Sequence, residues 1–69
     1  LEAEMNIQVN GACVNTSVRT LKEFLYSTAY KDKPVAVEYN GELVSRDAYE
    51  TIVLTAADRL EIVTFVGGG

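Results

Sequence analysis

The residues best placed to do chemistry are the last three. Gly67, Gly68 and Gly69 directly follow an apolar run, so the carboxylate of Gly69 hangs at the end of a segment with no side chains. A glycine tail is thin and free in φ, and it can lie extended in a narrow channel and carry a terminal carboxylate to a nucleotide in a partner's active site. A free carboxylate is a poor acyl donor. ATP can convert it to an acyl-adenylate, whose leaving group permits attack by a sulfur nucleophile, with a thiocarboxylate or thioester as product. The alternative is that the glycines are a frayed end or the stub of a linker.

Little else in the composition supports catalysis. The chain has no histidine and a single cysteine, Cys13, which excludes Ser-His-Asp and Cys-His catalysis, histidine-containing zinc sites and intrachain disulfides. The glycines follow a strand rather than linking a strand to a helix, so they form no P-loop. No catalytic and no metal-binding residue is assigned. Cys13 reads as a small strand residue, because a reactive thiol needs adjacent cations or a helix N-terminus. Six Lys and Arg against ten Asp and Glu leave a net charge of −4. That balance argues against nucleic acid and favours basic protein surfaces as partners. No apolar run approaches the roughly 18 residues of a membrane span, and residues 1–4 lack the features of a signal peptide. A cytoplasmic protein starting at Met5 is expected, with residues 1–4 a non-native remnant and the free protein a monomer.

The elements must place the tail. A chain of 69 residues is one domain. At 48% apolar and 23% charged it can build a core. Met5, Ile7 and Val9 alternate with Asn6, Gln8 and Asn10, and Asn10-Gly11 supplies a two-residue hairpin turn. That turn sets Val9 opposite Ala12, Gln8 opposite Cys13 and Ile7 opposite Val14, with Cys13 on the wetter face. Thr20-Leu21-Lys22-Glu23 is a capping box. It opens a helix with Leu21, Phe24, Leu25 and Ala29 on one face, ending near Tyr30. Val35, Val37 and Tyr39 alternate before Asn40-Gly41, a second hairpin signal, followed by Leu43-Val44. Residues 45–58 are less regular. Ser45 could cap a short helical turn through Tyr49, and residues 51–54 read as a brief strand or extended loop. Residues 60–66 are a strong β run, with Leu60, Ile62 and Thr64 on one face and Glu61, Val63 and Phe65 on the other.

The order β-β-α-β-β-β is that of an α+β fold, the ubiquitin-like β-grasp: a mixed sheet of about five strands covered on one face by one main helix. The domain would span residues 5–66 and the flexible tail residues 67–69. The helix should cover Met5, Ile7, Val9, Val37, Leu60 and Ile62. That leaves Val63, Phe65 and Val66 as a candidate partner-docking patch next to the tail; in the alternative, Phe65 tucks under a loop or the register is off by one. Tyr39 and Tyr49 read as core-edge residues, and Arg46 and Arg59 as solvated or paired.

Three segments together resemble the bacterial sulfur-carrier family of thiamine biosynthesis, ThiS: residues 5–11, residues 35–44 with Arg46, and above all residues 58–69, ending Phe65-Val66-Gly67-Gly68-Gly69. The family's usual Pro before the Arg is Ser45 here, and its usual Gly before Asp58 is Ala57. The resemblance implies a carrier rather than an enzyme, with no bound cofactor. An E1-like adenylyltransferase would spend ATP to activate Gly69, a cysteine-persulfide relay would supply sulfur, and the thiocarboxylate would pass it to thiazole synthase. Gly68 would keep the approach open and Gly67 would lengthen the thread. Two alternatives stand: a molybdopterin-synthase-small-subunit-like carrier or ubiquitin-like modifier, and a noncatalytic β-grasp binding module.

Overall fold

The computed structural model describes residues 4–65. Val66, Gly67, Gly68 and Gly69, and the segment 1–3, lie outside the described residues. Five strands, β1 (Met5–Val9), β2 (Ala12–Thr16), β3 (Val35–Tyr39), β4 (Glu42–Val44) and β5 (Arg59–Thr64), form one mixed sheet in the order β2-β1-β5-β3-β4. The two hairpins form as expected. Val9 pairs with Ala12, Gln8 with Cys13 and Ile7 with Val14. Both turns place asparagine and glycine at positive φ, Asn10 at 52° and Gly11 at 84°, then Asn40 at 51° and Gly41 at 91°. Such values suit a turn whose twist matches the flanking strands. β5 enters between the hairpins, parallel to β1 and antiparallel to β3.

The helix, α1 (Leu21–Tyr26), starts where its capping box requires: the Glu23 backbone N–H donates to Thr20 Oγ1 at 3.1 Å, and Glu23 Oε1 accepts from the Thr20 N–H at 3.0 Å. It ends four residues sooner than its apolar spacing suggests. Ser27 Oγ donates to the Phe24 carbonyl and Thr28 Oγ1 to the Leu25 carbonyl, both at 2.9 Å. Hydroxyls that bond the last carbonyls of a helix compete with the next turn of backbone. Ala29 is consequently exposed and forms no part of the apolar stripe. At six residues α1 is about 9 Å long. It contributes Leu21, Phe24 and Leu25 to a core cluster with Ile7, Val9, Val37, Leu54, Leu60 and Ile62. Met5, Val18, Ile52, Tyr39 and Tyr49 pack around that cluster, so irregular segments complete what so short a helix begins.

Between β4 and β5 the chain makes a 3-10 turn, Arg46–Ala48, without a side-chain cap from Ser45. Of the two readings of residues 51–54, a brief strand or an extended loop, the loop is the one found, with an isolated bridge between Thr20 and Val53. Tertiary needs decide this segment: it delivers Leu54 to the core, and the Leu54 N–H donates to the Arg19 carbonyl at 2.8 Å.

Candidate functional site

The strand that leads to the glycines is held along its whole length by residues outside it. At its entry, Asp58 is 6% exposed and accepts four hydrogen bonds: from Tyr39 Oη at 2.9 Å, Asn40 Nδ2 at 3.1 Å, the Thr55 N–H at 2.8 Å and Thr55 Oγ1 at 3.1 Å. Burial pushes this carboxyl up, but the hydrogen bonds outweigh it and hold Asp58 below its usual value. Burial first, then the bond to Asp58, pushes the Tyr39 hydroxyl up and keeps it a donor. Asn40 Oδ1 also accepts from the Arg59 N–H at 2.8 Å.

Asn10, from the other hairpin, holds the middle of β5. Its Oδ1 accepts from the Ile62 N–H at 2.7 Å and its Nδ2 donates to the Ile62 carbonyl at 3.0 Å, so the side chain imitates a neighbouring strand just past the end of β1. After the strand, the Phe65 N–H donates to the Pro34 carbonyl at 3.1 Å. These positioning roles of Asn10, Asn40 and Asp58 were not read from the sequence, where the asparagines registered only as turn residues. The available signal was the recurrence of Asn-Gly at both hairpins beside an aspartate directly ahead of the last strand.

The faces of β5 divide as its alternation requires. Leu60 and Ile62 are buried, whereas Val63 is 58% exposed and Phe65, just beyond the strand, 56%. Phe65 is not tucked under a loop, and the buried Leu60 and Ile62 alternate with the exposed Glu61 and Val63 as expected. Across the open face Leu43, Glu38 and Glu61 stand in one row and Ala36 and Val63 in the next. Leu43 is 73% exposed. Val66, Gly67, Gly68 and Gly69, the remaining residues of the expected site, lie outside the described residues.

Beside Pro34 and Val35 an open cavity of about 890 Å³ gathers Lys22, Lys31, Lys33 and Arg46 with Asp32, Asp47 and Glu50. Lys22 is already engaged, its Nζ donating to Glu50 at 2.9 Å. No group of three or more potential metal ligands occurs among the described residues, and Cys13 is exposed and free.

A five-stranded mixed sheet with its first and last strands parallel at the centre, and one helix between two hairpins, defines a ubiquitin-like β-grasp protein. Its match to solved structures includes the crystal structure of the thiamine biosynthesis protein (ThiS) from Geobacter metallireducens, at a TM-score of 0.70 and 32% identity, covering 94% of this chain and all of that one. The ThiS family model matches residues 5–69, and the chain belongs to that family. It is 37% identical over 65 residues to the sulfur carrier protein ThiS of Bacillus subtilis, covering 91% of this chain and 98% of that protein. It is also 39% identical over 66 residues to a thiazole synthase of Magnetococcus marinus, covering 94% of this chain. The chain spans 20% of the length of that protein and of a second thiazole synthase, from Paramagnetospirillum magneticum.

Proposed function

We propose that this protein is a sulfur carrier for thiazole formation in thiamine biosynthesis, acted on by partner enzymes and itself no catalyst. An oxygen of the Gly69 carboxylate attacks the α-phosphate of ATP in an E1-like adenylyltransferase, displacing pyrophosphate. The terminal sulfur of a persulfide on the relay then attacks the acyl carbon and expels AMP, giving an acyl disulfide. A second thiol attacks the relay sulfur of its S–S bond, forming a disulfide with the relay and releasing the thiocarboxylate. The resulting thiocarboxylate is ionised at neutral pH and more nucleophilic than a carboxylate, which suits it to carbonyl attack in thiazole synthase. Gly67 and Gly68 let the reacting end pass through a narrow channel.

The observation that carries this reading is the family match over residues 5–69, and Asp58, Asn40 and Asn10 hold β5, the last described strand, in place. Two thiazole synthases that contain a similar segment within a longer chain support the choice of sulfur acceptor. In this reading α1 covers one face of the sheet, Val63 and Phe65 on the other side dock the partners, and Val66, outside the described residues, is assigned to the same docking patch from its place in the sequence. No helix among the described residues is long and apolar enough to cross a membrane, and the cytoplasm is the compartment we assign.

Intact-protein mass spectrometry after incubation with ATP, the adenylyltransferase and a sulfur source tests it. An oxygen-to-sulfur mass gain at Gly69, absent from a variant ending at Gly67, is expected. No gain with an adenylyltransferase active on its own carrier would overturn the reading.

A further inference from the structure

Glu38 of β3 and Glu61 of β5 are directly opposed across the open face of the sheet. Side chains so placed have their Cβ atoms about 5 Å apart, and like charges there destabilise the pair. No ion pair among the described residues relieves the repulsion: the one found there is Lys22 with Glu50, and Arg59, on the same face of β5 as Glu61, forms none with either glutamate. An apolar frame surrounds them, with Leu43 beside Glu38 on β4 and Val63 and Phe65 two and four residues beyond Glu61. Exposed apolar side chains around an unneutralised carboxylate pair suit a protein surface that brings a cation to the centre of an apolar contact.

We propose that Glu38 and Glu61 together receive a basic side chain, arginine or lysine, presented by thiazole synthase, and that Leu43, Val63 and Phe65 seal this contact from water. The inference rests on the proposed function for the identity of that partner. In the free protein two carboxylates repel each other in high-dielectric water. When the partner docks, the same carboxylates flank one cation in a drier setting, where each attraction is stronger. A surface without the cation would bury both charges unpaired, so the pair also discriminates between partners. An arginine can span both carboxylates with its planar fork.

The test measures association of the full chain with thiazole synthase at low and high salt, for the wild type, Glu38→Gln, Glu61→Gln and Glu61→Lys. Each Gln variant should bind about tenfold more weakly and show a flatter salt dependence. Glu61→Lys should bind more weakly still while raising the midpoint of thermal unfolding, because it converts the cross-strand repulsion into attraction. That combination separates lost recognition from a damaged fold. Wild-type binding with all three variants equal to it would overturn the inference and leave the carrier assignment standing. Weakening seen only with the adenylyltransferase would overturn thiazole synthase as the occupant. Failure of the wild type to bind thiazole synthase at all would overturn the inference together with the choice of acceptor.

Discussion

Tyr39 Oη donates to Asp58 Oδ2 at 2.9 Å, joining the last residue of β3 to the residue that introduces β5. Tyr39 also pairs with Leu60 in the sheet, so the same two chain segments meet once through backbone and once through side chains. The buried carboxylate spends its acceptor capacity on Tyr39, Asn40 and Thr55, and the start of β5 thereby has one position.

Replacing Asp58 with Ala should cost about 3 kcal/mol, since several donors lose their acceptor in a site closed to water. Urea unfolding of the two proteins measures the difference. A loss below about 0.5 kcal/mol would show that these bonds are readily replaced by solvent.

The same carboxylate makes stability sensitive to acid. Its folded-state value lies below that of the unfolded chain, so its contribution is fully present above the ordinary aspartate value of about 4 and is lost as the pH falls through the lower folded value. Asp58→Asn should flatten stability against pH in that window and leave its slope near neutrality unchanged. Denaturant titrations from neutral to acid pH give both slopes.

Asn10→Ala removes both side-chain bonds to Ile62 and leaves alanine at a φ of 52°. We expect a loss of about 2 kcal/mol. Hydrogen exchange should locate part of it, with faster exchange at the Ile62 amide than the global loss alone accounts for.

Ala57 adopts a φ of 72° in a turn closed by the Asp58 N–H on the Thr55 carbonyl at 3.1 Å. Its positive φ there is one that glycine adopts without penalty. Ala57→Gly should therefore stabilise by about 1 kcal/mol, raising the melting temperature by roughly 5 °C, a shift that calorimetry resolves.

Phe65→Ala should leave stability within about 0.5 kcal/mol, because the ring is largely in solvent already. Transfer of sulfur from the loaded carrier should slow about tenfold if this ring docks a partner. Single-turnover transfer, compared with thermal unfolding of the same variant, separates the two effects.

Much of this arrangement is legible in the sequence because its signals are local. Asn10-Gly11 and Asn40-Gly41 set two hairpins and their registers, and the alternation from Leu60 onward assigns the faces of β5. The capping box marks the start of α1 for the same reason. Its end is less legible: Leu25 and Ala29 keep helical spacing, while Ser27 and Thr28 divert the backbone with their hydroxyls. The bonds that hold β5 are the least legible part. Asn10 and Ile62 are 52 residues apart, and no pattern of neighbouring residues encodes a contact at that range.

The sheet order has a further consequence for assembly. β1–β2 and β3–β4 are each closed by a tight turn, yet in the sheet they are joined only through β5, which enters as a wedge between them. Until the ribosome has released residues 59–64, the emerging chain holds two ribbons with no common sheet, and closing it requires contacts between the earliest and latest segments, the slow kind. Folding is thereby timed to the strand that leads into the glycines, and an incomplete chain has no finished sheet.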